Sequence, residues 1–198
     1  AARASLAIRT SIREQPAPAL YERVLGASAW TALPAVVREL HDLHDQAVFA
    51  GLSTVRAAPG ILPRLLRLVL GFPESAIELP VTVTLERIGR LEKWTRQFGR
   101  DHFSSVLSEA DDGTLRERFG PMKFEVALTG GAEGISMPVK RGWLLGIALP
   151  RWLVPISDAR EWADELGRFR FDVAVSLPFC GPVIRYTGWL TRQGSLPR

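Results

Sequence analysis

At 198 residues with 46% hydrophobic and 23% charged content, the chain is long enough for one domain with a substantial core, and it lacks the composition of a disordered protein. Its net charge of +4 comes from arginines scattered through every segment. No dense basic stripe, helix-turn-helix, zinc-finger or RNP pattern accompanies them, which argues against a nucleic-acid partner.

The opening stretch AARASLAIRTSIREQPAP is rich in Ala, Ser and Arg and has no acid before Glu14. Residues 1–18 therefore read as a linker or disordered extension, with some likeness to an organelle-targeting peptide, and residues 19–198 as a single domain. Ala19 to Leu25 and Ala32 to Leu43 read as helices. In the second, Leu33, Val36, Val37, Leu40 and Leu43 recur at helical spacing and Pro34 is tolerated in the first turn. Gln46 to Ala57 has strand character. Ile61 to Leu70 follows as a third amphipathic helix, stopped by Gly71, Phe72 and Pro73. Its apolar run, interrupted by Pro63, Arg64 and Arg67, is the longest in the chain and falls short of the ~20 residues of a membrane span.

From Ile77 onward the apolar period becomes two. Strands are expected at 77–88, 91–98, 102–109, 114–119, 122–129, 134–145, 156–165, 168–177 and 183–191, with Gly-containing turns between them. Phe169, Phe171, Val173, Val175 and Leu177 alternate with polar neighbours, so one face is inside and one is wet. Only LLGIALPRWLVP interrupts the pattern, where Leu149 to Val154 fits a short helical turn or an apolar lid. About ten antiparallel strands with one buried face imply an α+β, mainly β fold: a meander curled into a lipocalin-like barrel with the N-terminal helices packed on it, or alternatively a START-like helix-grip. The single Cys180, in PFCGP, allows no internal disulfide or zinc knuckle. It reads as a small turn residue in a reducing, cytoplasmic setting.

Several segments together resemble the bacterial domain-of-unknown-function family numbered 4166. They are LYERVLG at 20–26, LHDLH at 40–44, WTRQFG at 94–99 followed by FSS, LRERFGP at 115–121, WLLGIALP at 143–150 and GRFRFDVAVSLPFCGPVIRYTGWL at 167–190. That family is often met behind a dehydrogenase-like nucleotide-binding domain, so the resemblance implies a dehydrogenase-like domain as a possible partner. It has no assigned reaction and supplies no catalytic residue. The chain carries no G-x-G-x-x-G fingerprint, and no cofactor is expected.

The chemistry of the chain gathers at Arg96, which shares a strand face with Trp94 and Phe98, and at Glu117, which shares one with Leu115 and Phe119. Opposite charges flanked by bulky apolar residues suggest a partnered Arg and Glu inside the β structure, since desolvating either alone costs several kcal/mol. Glu92, on the Arg96 face, is a rival partner. Arg96, Trp94, Phe98, Glu92, Phe119, Tyr186 and Trp143 are the candidate ligand-binding residues, and Glu117 or His41 the candidate proton-transfer group. Tyr186 belongs to the face of the last strand that also carries Ile184 and Leu190. His41 and His44, with Asp42 and Asp45, form an H-D-x-H-D cluster at a helix end. It lacks a visible third metal ligand and fits helix capping. The leading expectation is an internal cavity binding an apolar small molecule such as a lipid, polyketide or terpenoid. A cofactor-free isomerase or cyclase and a structural module docking on a dehydrogenase are the alternatives.

Overall fold

A computed structural model describes residues 17–194, so residues 1–16 of the expected extension lie outside the described residues. Three short helices come first: α1 (Leu20–Leu25), α2 (Ala27–Ala32) and α3 (Ala35–His41). The helix expected over 32–43 is thus shorter, and α2 was not foreseen. The cause is Pro34, which drives Leu33 into an extended conformation (φ −63°, ψ 148°) and makes a break there. The predicted stripe survives the break, with Leu33, Val37, Leu40 and Leu43 all buried.

Strand β1 (Gln46–Ala57) leads into α4 (Ile61–Leu70), which ends on Gly71 in the left-handed conformation (φ 71°). A side chain there would also press a Cβ to 2.8 Å from the His102 carbonyl oxygen, so the position suits glycine twice over. The meander follows: β2 (Ala76–Ile88), β3 (Leu91–Phe98), β4 (Asp101–Glu109), β5 (Leu115–Phe119) and β6 (Met122–Val126). Next come β7 (Thr129–Gly131), β8 (Gly134–Ser136), β9 (Val139–Leu144), β10 (Ile147–Ala148), a 3-10 turn (Arg151–Leu153), β11 (Ile156–Ala163), β12 (Phe169–Leu177) and β13 (Gly181–Arg192).

All thirteen strands form one sheet in the order β10-β9-β6-β5-β4-β3-β2-β1-β13-β12-β11-β8-β7. The first and last long strands, β1 and β13, pair at its centre from Phe49 opposite Arg192 to Ala57 opposite Ile184. The sheet is strongly curled but is not the closed barrel expected, and its strand count exceeds the expected ten. The reason lies at Met137-Pro138. Up to Met137, whose N–H donates to the Ala159 carbonyl (2.9 Å), the chain serves the β11 flank. From Pro138, whose carbonyl accepts from the Ala127 N–H (3.0 Å), it serves the β6 flank. The expected single strand 134–145 is therefore divided, and no strand pairs with both flanks along its length.

The strand ends define two poles. α1–α3 close one, tied to the turns there by Arg23, which bonds Glu109 (3.0 Å), and by Arg87, whose guanidinium donates to the Leu43 carbonyl (3.2 Å). α4 covers the other: Arg67 donates to the Ala58 carbonyl (2.8 Å), and Phe72 packs on Phe103 and Phe119 with ring centroids 5.1 and 5.4 Å apart. The inward sheet face and both helical caps contribute to one hydrophobic core.

Candidate functional site

Inside the curl lies a cavity of about 210 Å³. One ordered water occupies roughly 10–15 Å³ of such space, so the volume suits a small molecule rather than an isolated water. Its wall is largely aliphatic and aromatic, and three charged side chains, Arg96, Glu117 and Glu161, stand in it with Tyr21 and Tyr186.

Alternation along β3 turns Glu92, Trp94, Arg96 and Phe98 to the inner face, and on β4 and β5 it turns Ser105, Glu117 and Phe119 the same way. Arg96 and Glu117 are separated by β4, and the curl lets them approach: Nη2 of Arg96 lies 3.8 Å from Oε1 of Glu117. That is an ion-pair distance and too long for a hydrogen bond. Nη1 of Arg96 donates to Ser105 Oγ at 2.9 Å. The guanidinium carbon sits 5.0 Å from the Trp94 ring centroid and 5.6 Å from that of Phe103, so two aromatic rings hold the cation over the cavity.

A second polar cluster lies towards the α1–α3 pole. His41, fully buried on α3, brings Nε2 to 2.5 Å from Oε2 of Glu161 on β11. Its ring stacks on Tyr21 (centroids 3.7 Å apart) and lies 5.5 Å from Trp94. Among the described residues its Nδ1 has no hydrogen-bond partner. Burial pushes the Tyr21 phenol well above its ordinary range, and the charges of Glu161, Glu92 and Glu117 push it further. Burial likewise raises Tyr186 to about 12. Tyr186 is ringed by Phe98, Phe103 and Phe171 at 5.4, 6.5 and 6.2 Å.

Of the residues singled out in the sequence, Arg96, Trp94, Phe98, Glu117, Phe119 and Tyr186 come together on the cavity wall. Glu92 stands behind it: its carboxylate accepts from Trp94 Nε1 (3.1 Å). Burial raises its pKa against that hydrogen bond. Trp143 is outside the cavity lining. It pairs across the β6–β9 ladder with Lys123, and that face turns away from the cavity-lining Met122 and Phe124. The Lys123 ammonium rests 3.9 Å from the Trp143 ring centroid. His44 is exposed beside Asp42 at 3.5 Å, and the described residues contain no group of three or more His, Cys, Asp or Glu able to hold a metal ion.

Glu161, Tyr21 and Ser105 were missed in the sequence. Glu161 did leave a signal: it shares a strand face with Ala159 and Ala163, while Asp158, Arg160 and Trp162 take the other. A lone carboxylate among small residues marks an inward face. Tyr21, on a six-residue helix, left no period long enough to read.

The chemistry on offer is a cationic donor, two carboxylates, a buried imidazole and two neutral phenols around an apolar space. No curated protein and no solved structure matches the chain. The sequence pattern of the family described as Domain of unknown function (DUF4166) matches residues 33–190, and so the chain belongs to that family.

Proposed function

We propose that the domain binds an apolar small molecule with an oxygen-bearing end, its body in the cavity and its polar end on Arg96. One observation carries this reading. A guanidinium has five N–H donors, and in an otherwise greasy cavity Arg96 spends one on Ser105 while Glu117 stays at 3.8 Å. Donors therefore remain for a carbonyl, carboxylate or hydroxyl oxygen, and the rings of Trp94 and Phe103 keep the cation in place. Native mass spectrometry of protein purified from its source tests the reading. The expected result is an added mass corresponding to a hydrophobic oxygenated compound, released on denaturation, and protein carrying no such mass would count against it.

A second reading, a cofactor-free isomerase or cyclase, is favoured by the His41–Glu161 pair, whose carboxylate reaches the cavity wall. A carboxylate on the cavity wall can take a proton from a substrate carbon, the C–H electron pair staying on the substrate as an enolate-type anion, and then return that proton at another carbon. Turnover of the co-purified compound that disappears in Glu161→Gln while binding persists would distinguish catalysis from carriage.

A further inference from the structure

The pole covered by α4 has an apolar surface for which the fold itself gives no use. α4 buries Pro63 and turns Leu66 and Leu70 to the cavity, yet its opposite face also carries apolar residues: Ile61, Leu65 and Leu68, with Leu62 beside them. Ile61 is 88% exposed and Leu68 79%. A surface helix normally gives that face to polar residues, and one that is apolar on both sides belongs against something other than water. The surrounding loops repeat the pattern. Leu145 in the β9–β10 turn and Ile147 at the start of β10 are exposed, as is Phe179 in the β12–β13 turn at 89%. Trp152 of the 3-10 turn is exposed as well, with its ring centroid 6.0 Å from that of Phe179. By the strand connections, all of these lie at one end of the sheet. The opposite end exposes only Ile88, Leu91 and Leu166 as large apolar residues among the described residues.

The charges at the same pole are lopsided. Arg56, Arg64, Arg100, Arg118 and Arg151 are exposed there, against Glu74, Glu78 and Asp101. None of the five arginines belongs to an ion pair among the described residues, although the arginines elsewhere on the sheet and at the α1–α3 pole mostly do. An apolar helix face and aromatic loop tips surrounded by unpaired arginines match the interface of an anionic lipid bilayer: hydrocarbon below, phosphates at headgroup depth. Docking here is peripheral, since no described helix is long and apolar enough to cross a membrane.

We infer that the α4 pole docks on anionic membrane surfaces and that apolar ligands exchange with the cavity through this end. The second half rests on the cavity reading above, because Leu66, Leu70 and Phe72 lie between the membrane-facing surface and the cavity. A hydrophobic ligand passing from bilayer to cavity by this route avoids bulk water.

Co-flotation of the full chain with phosphatidylcholine vesicles, with and without phosphatidylglycerol, tests the inference. Wild type is expected to float with the mixed vesicles and to be released as salt is raised, because the Debye length shrinks from about 10 Å at 0.1 M to about 3 Å at 1 M. Leu65→Glu/Leu68→Glu, both at exposed positions, is expected to lose about tenfold or more of the bound fraction. Arg64→Ser/Arg100→Ser/Arg151→Ser is expected to lose the preference for the anionic lipid. Wild type that fails to float with either vesicle, or a leucine variant that floats unchanged, overturns the docking. So does a wild-type dimer in light scattering that the leucine variant splits, because the face would then be covered by a second copy. Native mass spectrometry of the leucine variant separates the two readings: retained ligand without flotation leaves the cavity standing and assigns the loss to the surface.

Discussion

Nε2 of His41 lies 2.5 Å from Oε2 of Glu161, and with this contact helix α3, 120 residues away in sequence, is fastened to the wall of the cavity. The imidazole is wholly buried and Glu161 nearly so. Breaking such a pair from one side strands a buried polar group, at a cost of roughly 3–5 kcal/mol, whereas removing both partners leaves no stranded group. His41→Leu and Glu161→Leu are each expected to be strongly destabilised in urea, and the double variant to lose clearly less than their sum. Strict additivity would mean that the contact is not energetically coupled.

The chain's two tyrosines are both buried with raised pKa values, that of Tyr186 about 12. In the unfolded chain a phenol ionises near ~10, so between that pH and the folded values the native state holds more protons and stability falls as pH rises. Tyrosinate absorbance is therefore expected to stay flat through pH ~10.5 and to rise only at the pH where circular dichroism reports unfolding. A tyrosine titrating near pH ~10 in folded protein would contradict the burial of these rings.

Glu92 supplies the opposite end of the pH scale. Its pKa is raised above the ordinary 4.5, first by burial. The folded state thus binds a proton more readily than the unfolded one, and the ionised carboxylate weakens the fold as pH climbs from 4.5 through the raised value. Glu92→Gln keeps an oxygen for Trp94 Nε1 without the charge. Its stability relative to wild type is expected to improve as pH is raised above 4.5, read from urea midpoints at a series of pH values. A difference that does not move with pH would sink this assignment.

Gly188 of β13 lies opposite Ser53 of β1 and Phe171 of β12 at the centre of the sheet. A Cβ there would meet the Leu52 carbonyl oxygen and the tip of the Phe171 ring, at 2.6 Å from the latter. Gly188→Ala is expected to cost about 1–3 kcal/mol, read as a fall in Tm of roughly 2–12 °C. Gly131→Ala, where the added carbon meets nothing within 4 Å, is expected to stay close to wild type.

Sequence periodicity carried a good part of this. The alternation of Trp94, Arg96 and Phe98, and of Leu115, Glu117 and Phe119, placed both charges on inward faces, because a strand's side chains alternate regardless of what its neighbours do. What it could not carry was curvature: whether the sheet closes depends on Met137-Pro138, where one short run divides its hydrogen bonds between two flanks. Nor could it pair His41 with Glu161, since that contact joins a helix end to a strand remote in the chain. The same local view gave Trp143 to the cavity, although its cross-strand neighbour is the outward-facing Lys123.

A displacement titration of wild type and Arg96→Met, with a medium-chain fatty acid and with the alkane of the same length, tests whether Arg96 holds the oxygen-bearing end of an apolar ligand. A hydrogen bond to a charged group is worth roughly 1.5–3 kcal/mol, so the fatty acid is expected to bind Arg96→Met about 10- to 150-fold more weakly, with the alkane changed by no more than a few fold. Equal binding of the acid by both proteins, or no saturable binding of either ligand by wild type, would contradict the account.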